Sequence, residues 1–147
     1  FYLQQGELQK AKDLALSRLS KDSSSPFNHL LVAKTAYELK QWDLALKHSD
    51  LSVQMSKTFH KAKWLKAQTL SELNHKDQAE KLYHSLVKEP DLDPVLYRAI
   101  SEQFEKNNDL PNAISVLKAG QQHPDIHEEM TSSLVGLYLR HQQPKHA

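Results

Sequence analysis

Five alanines dictate the architecture of this chain. Ala11, Ala45, Ala79, Ala113 and Ala147 follow one another at a constant interval of 34 residues, and the residues ahead of four of them recur in the same phase. Gln5-Gly6-Glu7-Leu8-Gln9-Lys10-Ala11 aligns with Lys40-Gln41-Trp42-Asp43-Leu44-Ala45, with Asn74-His75-Lys76-Asp77-Gln78-Ala79 and with Asn108-Asp109-Leu110-Pro111-Asn112-Ala113. Each stretch is a polar turn entering an apolar-periodic segment. Among 12 alanines one or two such coincidences would be chance, but five in phase, four of them with matching turns, are a repeat. A unit this short cannot bury its own apolar face and must stack on its neighbours.

The unit is helical. Leucine outnumbers isoleucine and valine together by 23 to 9, and β-branched side chains lose rotamer freedom in helices. Only three glycines leave few positions for the turns of an all-β fold. Apolar residues keep helical spacing, as in Tyr97, Ile100 and Phe104 with Ser101 facing the same way, in Leu110, Val116 and Leu117, and in Leu134, Val135 and Tyr138. Ser25-Pro26, Asp93-Pro94 and Asp109-Leu110-Pro111 each place a capping side chain before a proline of a first helical turn. The pattern predicts helices over 7–21, 26–39, 42–55, 59–73, 76–88, 94–107, 110–122 and 126–141, with no strand. Short connections make successive helices antiparallel.

A two-helix unit of this length resembles the tetratricopeptide repeat. In that family small residues at unit positions 8, 20 and 27 admit close helix approach, and bulky ones at 4, 7, 11, 17 and 24 fill the gaps. Counting each unit so that its recurrent alanine is position 20, the unit from Pro94 supplies Tyr97, Ile100, Ser101, Phe104, Leu110, Ala113, Leu117 and Gly120. The unit from Pro26 matches through Val32, Ala33, Trp42, Ala45 and Ser52, and the unit from His60 through Ala67, Leu70, Ala79 and Tyr83. His29 and Lys63 stand where an aromatic is usual, Lys66 and Lys76 replace apolar residues, and Gly6 alone keeps the glycine of the inter-helix turn. The resemblance implies an all-α, right-handed superhelical α-solenoid of antiparallel helix pairs, with about four repeats. It implies one domain over 1–147, with units near 26–59, 60–93 and 94–127 and partial units at 1–25 and 128–147. The chain does not begin with Met, Phe1 to Gln4 have the phase of a helix tail, and we read it as a piece of something longer.

The family presents positions 2, 5, 9, 12 and 13 to a concave groove. Carried over, these are Phe27, Leu30, Lys34, Tyr37 and Glu38, then Lys61, Trp64, Gln68, Ser71 and Glu72, then Val95, Arg98, Glu102, Glu105 and Lys106, and finally Glu129, Ser132, Gly136, Leu139 and Arg140. Phe27, Leu30, Tyr37 and Trp64 beside Lys34 and Lys61 make an aromatic and cationic set of the kind that anchors a peptide. Arg98, Glu102 and Glu105 suit a polar rim. Leu30 and Trp64 are open to a second reading as core residues. Repeats that clamp the carboxyl terminus of a chaperone carry lysine, asparagine and arginine at positions occupied here by Leu30, Lys34, Leu65, Val95 and Ala99. That subtype is disfavoured.

Chemistry is sparse. No cysteine is present, which excludes a disulfide framework, thiolate metal ligation and a cysteine nucleophile, and leaves the compartment open. His123 and His127 are four apart beside Glu128 and Glu129, but Pro124 interrupts the helix between them, so we read solvated polar residues, with the glutamates complementing a helix amino end. Gly6, Gly120 and Gly136 are too dispersed for a phosphate-binding loop. The formal charge of +1 gives no phosphate-binding footprint, and Lys57, Lys61, Lys63 and Lys66 read as a solvated face, so nucleic acid is disfavoured. No apolar run approaches a membrane span.

The sequence thus points to a non-enzymatic scaffold without cofactor or metal, binding a protein or peptide in its groove to recruit or assemble a complex. The alternative is a structural segment stacking on itself, as a homo-oligomer through exposed repeat ends, or on a flanking domain. A weaker third reading is the regulatory region of an enzyme. The repeat itself is testable: Ala79→Leu overpacks a helix contact and lowers stability by about 1–3 kcal/mol, read as a fall in melting temperature. An unchanged melting temperature would contradict the repeat packing.

Overall fold

The computed structural model describes residues 2–142, with side chains from Gln4 onward. Eight α-helices follow in order: α1 (Tyr2–Lys21), α2 (Pro26–Glu38), α3 (Trp42–Met55), α4 (His60–Glu72), α5 (Lys76–Val87), α6 (Pro94–Lys106), α7 (Leu110–Gln121) and α8 (His127–Arg140). A single 3₁₀ turn over Pro124–Ile126 precedes α8, and no strand occurs among the described residues. The chain divides into two compact units, one running to Leu86 and the other from Val87. Within each unit consecutive helices pack on one another, which is the packing of an all-α solenoid.

Three starts follow the capping rule read from the sequence. The Ser25 hydroxyl accepts from the Asn28 N–H at 3.3 Å, the Asp93 carboxylate from the Val95 N–H at 2.9 Å, and the Asp109 carboxylate from the Asn112 N–H at 3.3 Å. The helix ends are more regular still. Lys40, Asn74 and Asn108 take positive φ of 60°, 65° and 60°, and they stand 34 residues apart. After each, the next N–H reaches back to a carbonyl of the preceding helix: Gln41 to Ala36, His75 to Leu70 and Asp109 to Phe104, all at 2.8 Å. The left-handed residue itself donates to a carbonyl three residues back. This double closure satisfies carbonyls that a helix end leaves unpaired and reverses the chain in two residues.

Gly6 has the same phase as these three residues, and the turn expected there does not form. Instead α1 runs through it from Tyr2, so Tyr2 to Gln4 belong to one helix with the residues that follow. A Cβ on Gly6 would meet nothing within 4 Å. No packing therefore draws the chain out of its helix, and local pairs such as Lys10 with Glu7 at 3.4 Å and Gln9 with Asp13 at 3.1 Å favour continuation.

The recurrent alanines lie at helix contacts. Ala45 and Ala113 are fully buried, Ala79 is 1% exposed, Ala11 is half-buried, and Ala147 lies outside the described residues. In unit 1 a core of Leu30, Ala33, Ala62 and Leu65 is flanked by Tyr37, Val53 and Phe59. In unit 2 the buried side chains include Tyr97, Ile100 and Phe104 of α6, Val116 and Leu117 of α7, and Met130, Leu134 and Leu137 of α8. The stripe expected on α8 is corrected here: Leu134 is buried, but Val135 is 53% and Tyr138 48% exposed. The equivalent positions of α2, α4 and α6 are buried, whereas no described helix follows α8 to cover them.

Polar residues occupy core positions by finding partners. The Ser52 hydroxyl donates to the Pro26 carbonyl at 2.8 Å, tying the end of α3 to the start of α2, and the Ser101 hydroxyl donates to the Ala113 carbonyl at 2.9 Å. Lys66, at an expected apolar position, reaches Asp50 of α3 at 2.8 Å. Two glycines give opposite expectations for one substitution. A Cβ on Gly120 would lie 2.8 Å from Met130 Sδ and 3.1 Å from Tyr97 Cγ, both in buried side chains. Gly120→Ala therefore destabilises unit 2 by about 1–2 kcal/mol despite the better helix propensity. Gly6→Ala, in open space, stabilises by about 0.5–1 kcal/mol. Chemical denaturation of both variants checks the pair, and equal signs would contradict the packing described.

Candidate functional site

The helices α2 and α4 each join α3 by a short connection, so they run parallel to one another. Between them lies a cleft of about 320 Å³, lined by Leu30, Lys34, Tyr37 and Glu38 of α2 and by Lys61, Trp64, Leu65 and Gln68 of α4. Each set is one helical stripe at spacings of three and four. Leu30 and Leu65, 4% and 7% exposed, form an apolar floor continuous with the core of unit 1. The two aromatic rings are held in place by others: Trp64 lies 5.5 Å from Tyr83 in a tilted stack, and Tyr37 meets Trp42 edge-on at 5.1 Å. Rings so packed present a rigid surface at little entropic cost.

The electrostatics of the cleft are uneven. Lys34 and Lys61 are exposed and make no ion pair among the described residues. Burial pushes the Tyr37 hydroxyl above its ordinary value, and the carboxylates of Glu72 and Glu38 push it further. Burial also pushes the Tyr83 hydroxyl up to about 12.

The residues singled out in the sequence fall into two groups. Leu30, Lys34, Tyr37, Lys61, Trp64 and Gln68 come together in this cleft. Phe27, 51% exposed, lies on the same helix face one turn earlier but does not line it. In unit 2, Arg98 donates to Glu129 at 3.1 Å, and Glu105 accepts two bonds from Arg140 at 2.9 and 3.0 Å and one from His141 at 2.7 Å. The Arg140 guanidinium holds the Glu105 carboxyl below the usual carboxylate range. Arg98 and Glu105 thus fasten α6 to α8, while exposed Glu102 borders a smaller recess of about 180 Å³ with Arg98, Ser132 and Arg140. Sequence reasoning did not foresee the Trp64–Tyr83 contact, although Tyr83 occupies the position of a bulky residue in the same unit. It also missed Leu65 in the floor.

Comparison with known proteins bears on the fold alone. No family model and no curated protein matches the chain. Among solved structures, the MamA RS-1 ArsTM double mutant matches with a TM-score of 0.65 at 13% identity, covering 98% of this chain and 81% of that one. MamA contains tetratricopeptide repeats. The fold is tetratricopeptide-like. No helix among the described residues is long and apolar enough to cross a membrane.

Histidines were the remaining candidates for chemistry. His123 Nε2 accepts from the Tyr97 hydroxyl or donates to it at 3.0 Å, and His127 Nδ1 lies 2.8 Å from the Gln121 carbonyl. No group of three or more metal-ligating side chains converges among the described residues. Two histidines do meet, His29 and His48, buried at the α2–α3 contact with stacked rings and Nδ1 atoms 2.9 Å apart. His29 Nε2–H donates to the Ser23 carbonyl at 2.9 Å, so in the neutral pair His29 Nδ1 accepts and His48 Nδ1–H donates. Burial, then the neighbouring His29 and Lys47, lower the His48 pKa. The unfolded chain therefore binds the proton more readily than the folded one, and stability rises with pH through the interval below the ordinary histidine value. On acidification from pH 7.5 to 5 the melting temperature falls, and it falls less for His48→Gln. Parallel profiles for the two proteins would overturn this assignment.

Proposed function

We propose that this chain is a tetratricopeptide-repeat interaction module, without enzymatic activity of its own, whose α2–α4 cleft binds a segment of a partner protein and so recruits that partner into a complex. The observation that carries the reading is the cleft itself: an apolar floor, two braced aromatic rings and two uncommitted lysines on neighbouring parallel helices. Such a site offers anchoring surface and charge but no arranged acid, base and nucleophile, which suits recognition better than catalysis. The paired charges Arg98, Glu129, Arg140 and Glu105 supply a polar surface in unit 2. A structural role through stacking is the second reading, favoured by the exposed apolar residues Val135, Tyr138 and Leu139 of α8.

Affinity capture from lysate distinguishes the two. Lys34→Glu with Trp64→Ala abolishes capture of groove partners and leaves any self-association intact. Because Trp64 also packs on Tyr83, Lys34→Glu alone serves as the conservative control and weakens capture while circular dichroism stays unchanged. Capture of the same proteins by wild type and both variants would remove the groove assignment.

A further inference from the structure

The cleft has two electrically distinct ends. Lys61 lies in the first turn of α4, whereas Lys34, one turn before the end of α2, stands at the level of Gln68 and nearer the opposite end. Beyond them, Glu38 and Glu72 are the last residues of α2 and α4, 34 residues apart and therefore at the same point of consecutive repeats. Parallel helices bring like positions to the same end. Glu38 lines the cleft at that end, and Glu72, at the equivalent position of the next repeat, stands alongside it. Neither glutamate forms an ion pair with either lysine. The apolar surface of Leu30 and Trp64 lies between the levels of Lys61 and Lys34.

We propose, resting on the groove reading above, that the cleft selects an extended peptide with a charge order: an acidic residue at Lys61, an apolar or aromatic side chain over Leu30 and Trp64, and a basic residue at Glu38 and Glu72. Lengths fix the spacing. From Lys61 to Glu72 is 11 residues, or about 16 Å of helix at 1.5 Å per residue. An extended peptide covers that in about five residues. Opposite charges in the ligand therefore stand four to five residues apart. A uniformly acidic segment would satisfy Lys61 but place a like charge against Glu38 and Glu72.

The test uses three labelled ten-residue peptides with a common Phe-Leu centre: acidic at one end and basic at the other, acidic at both, and basic at both, with fluorescence anisotropy against the whole chain. The mixed peptide binds tightest, about fivefold or more over each of the others, as expected of two modest surface ion pairs acting together. That preference shrinks in 0.5 M salt. Glu38→Lys with Glu72→Lys, both exposed positions, reverses the order in favour of the doubly acidic peptide. Tighter or equal binding of the doubly acidic peptide to wild type, or no binding of any of the three, overturns the charge order and leaves the groove reading to the capture experiment. Equal binding of the mixed peptide to wild type and to Lys34→Glu with Trp64→Ala overturns the groove reading as well.

Discussion

Everything in this structure depends on how closely one helix can approach the next. Where a helix presents Ala45, Ala79 or Ala113, no side chain holds its neighbour away, and the backbone itself becomes part of the contact surface. Gly120 carries this furthest, with the side chains of Met130 and Tyr97 closing on its Cα where a methyl group would stand. The larger residues then fill what the close approach leaves: Ile100 and Phe104 on α6, Tyr83 on α5, Leu137 on α8, all with no exposure. Small and large residues are thus complementary in the strict sense, because neither set packs without the other.

The left-handed residues at Lys40, Asn74 and Asn108 serve the same end. A helix pair can be close only if the chain reverses tightly, and the two backbone bonds at each reversal leave no carbonyl stranded. Lysine is a poor residue for that conformation and asparagine a tolerable one. That the turn forms at Lys40 shows tertiary packing overriding local preference, while the helix through Gly6 shows the converse. There a residue ideal for the turn stays helical, because nothing packs against it.

This contrast explains how far the sequence could be read. The period, the helix count, the capped starts at Ser25, Asp93 and Asp109 and the buried alanines were all legible, since each depends on a local rule repeated at fixed spacing. Most of the cleft lining on α2 and α4 followed from the phase of the repeat too, except that Leu65 was missed and Phe27 falls outside it. What escaped was set by the presence or absence of a neighbour: the continuation of α1, the exposure of Val135 and Tyr138, and the engagement of Arg98 and Glu105 in pairs across helices. The pairing of His29 with His48 belongs to the same class, since residues 19 apart in sequence satisfy one another only when the helices meet.

A repeat also determines how charge is displayed. Residues at equivalent positions of parallel helices appear side by side, so a glutamate that recurs at the end of α2 and α4 doubles its field at one end of the cleft. The helix dipoles oppose this arrangement, because carboxyl ends carry partial negative charge already. Two carboxylates there make a mildly unfavourable feature for stability, one that a bound cation relieves. Lys106 stands at the equivalent position of α6, where a cation complements the helix end as stability alone would prefer. Unit 1 departs from the stabilising choice at the very helices that border the open cleft. Charge placed against the preference of its own helix is the feature on which the proposed charge order rests.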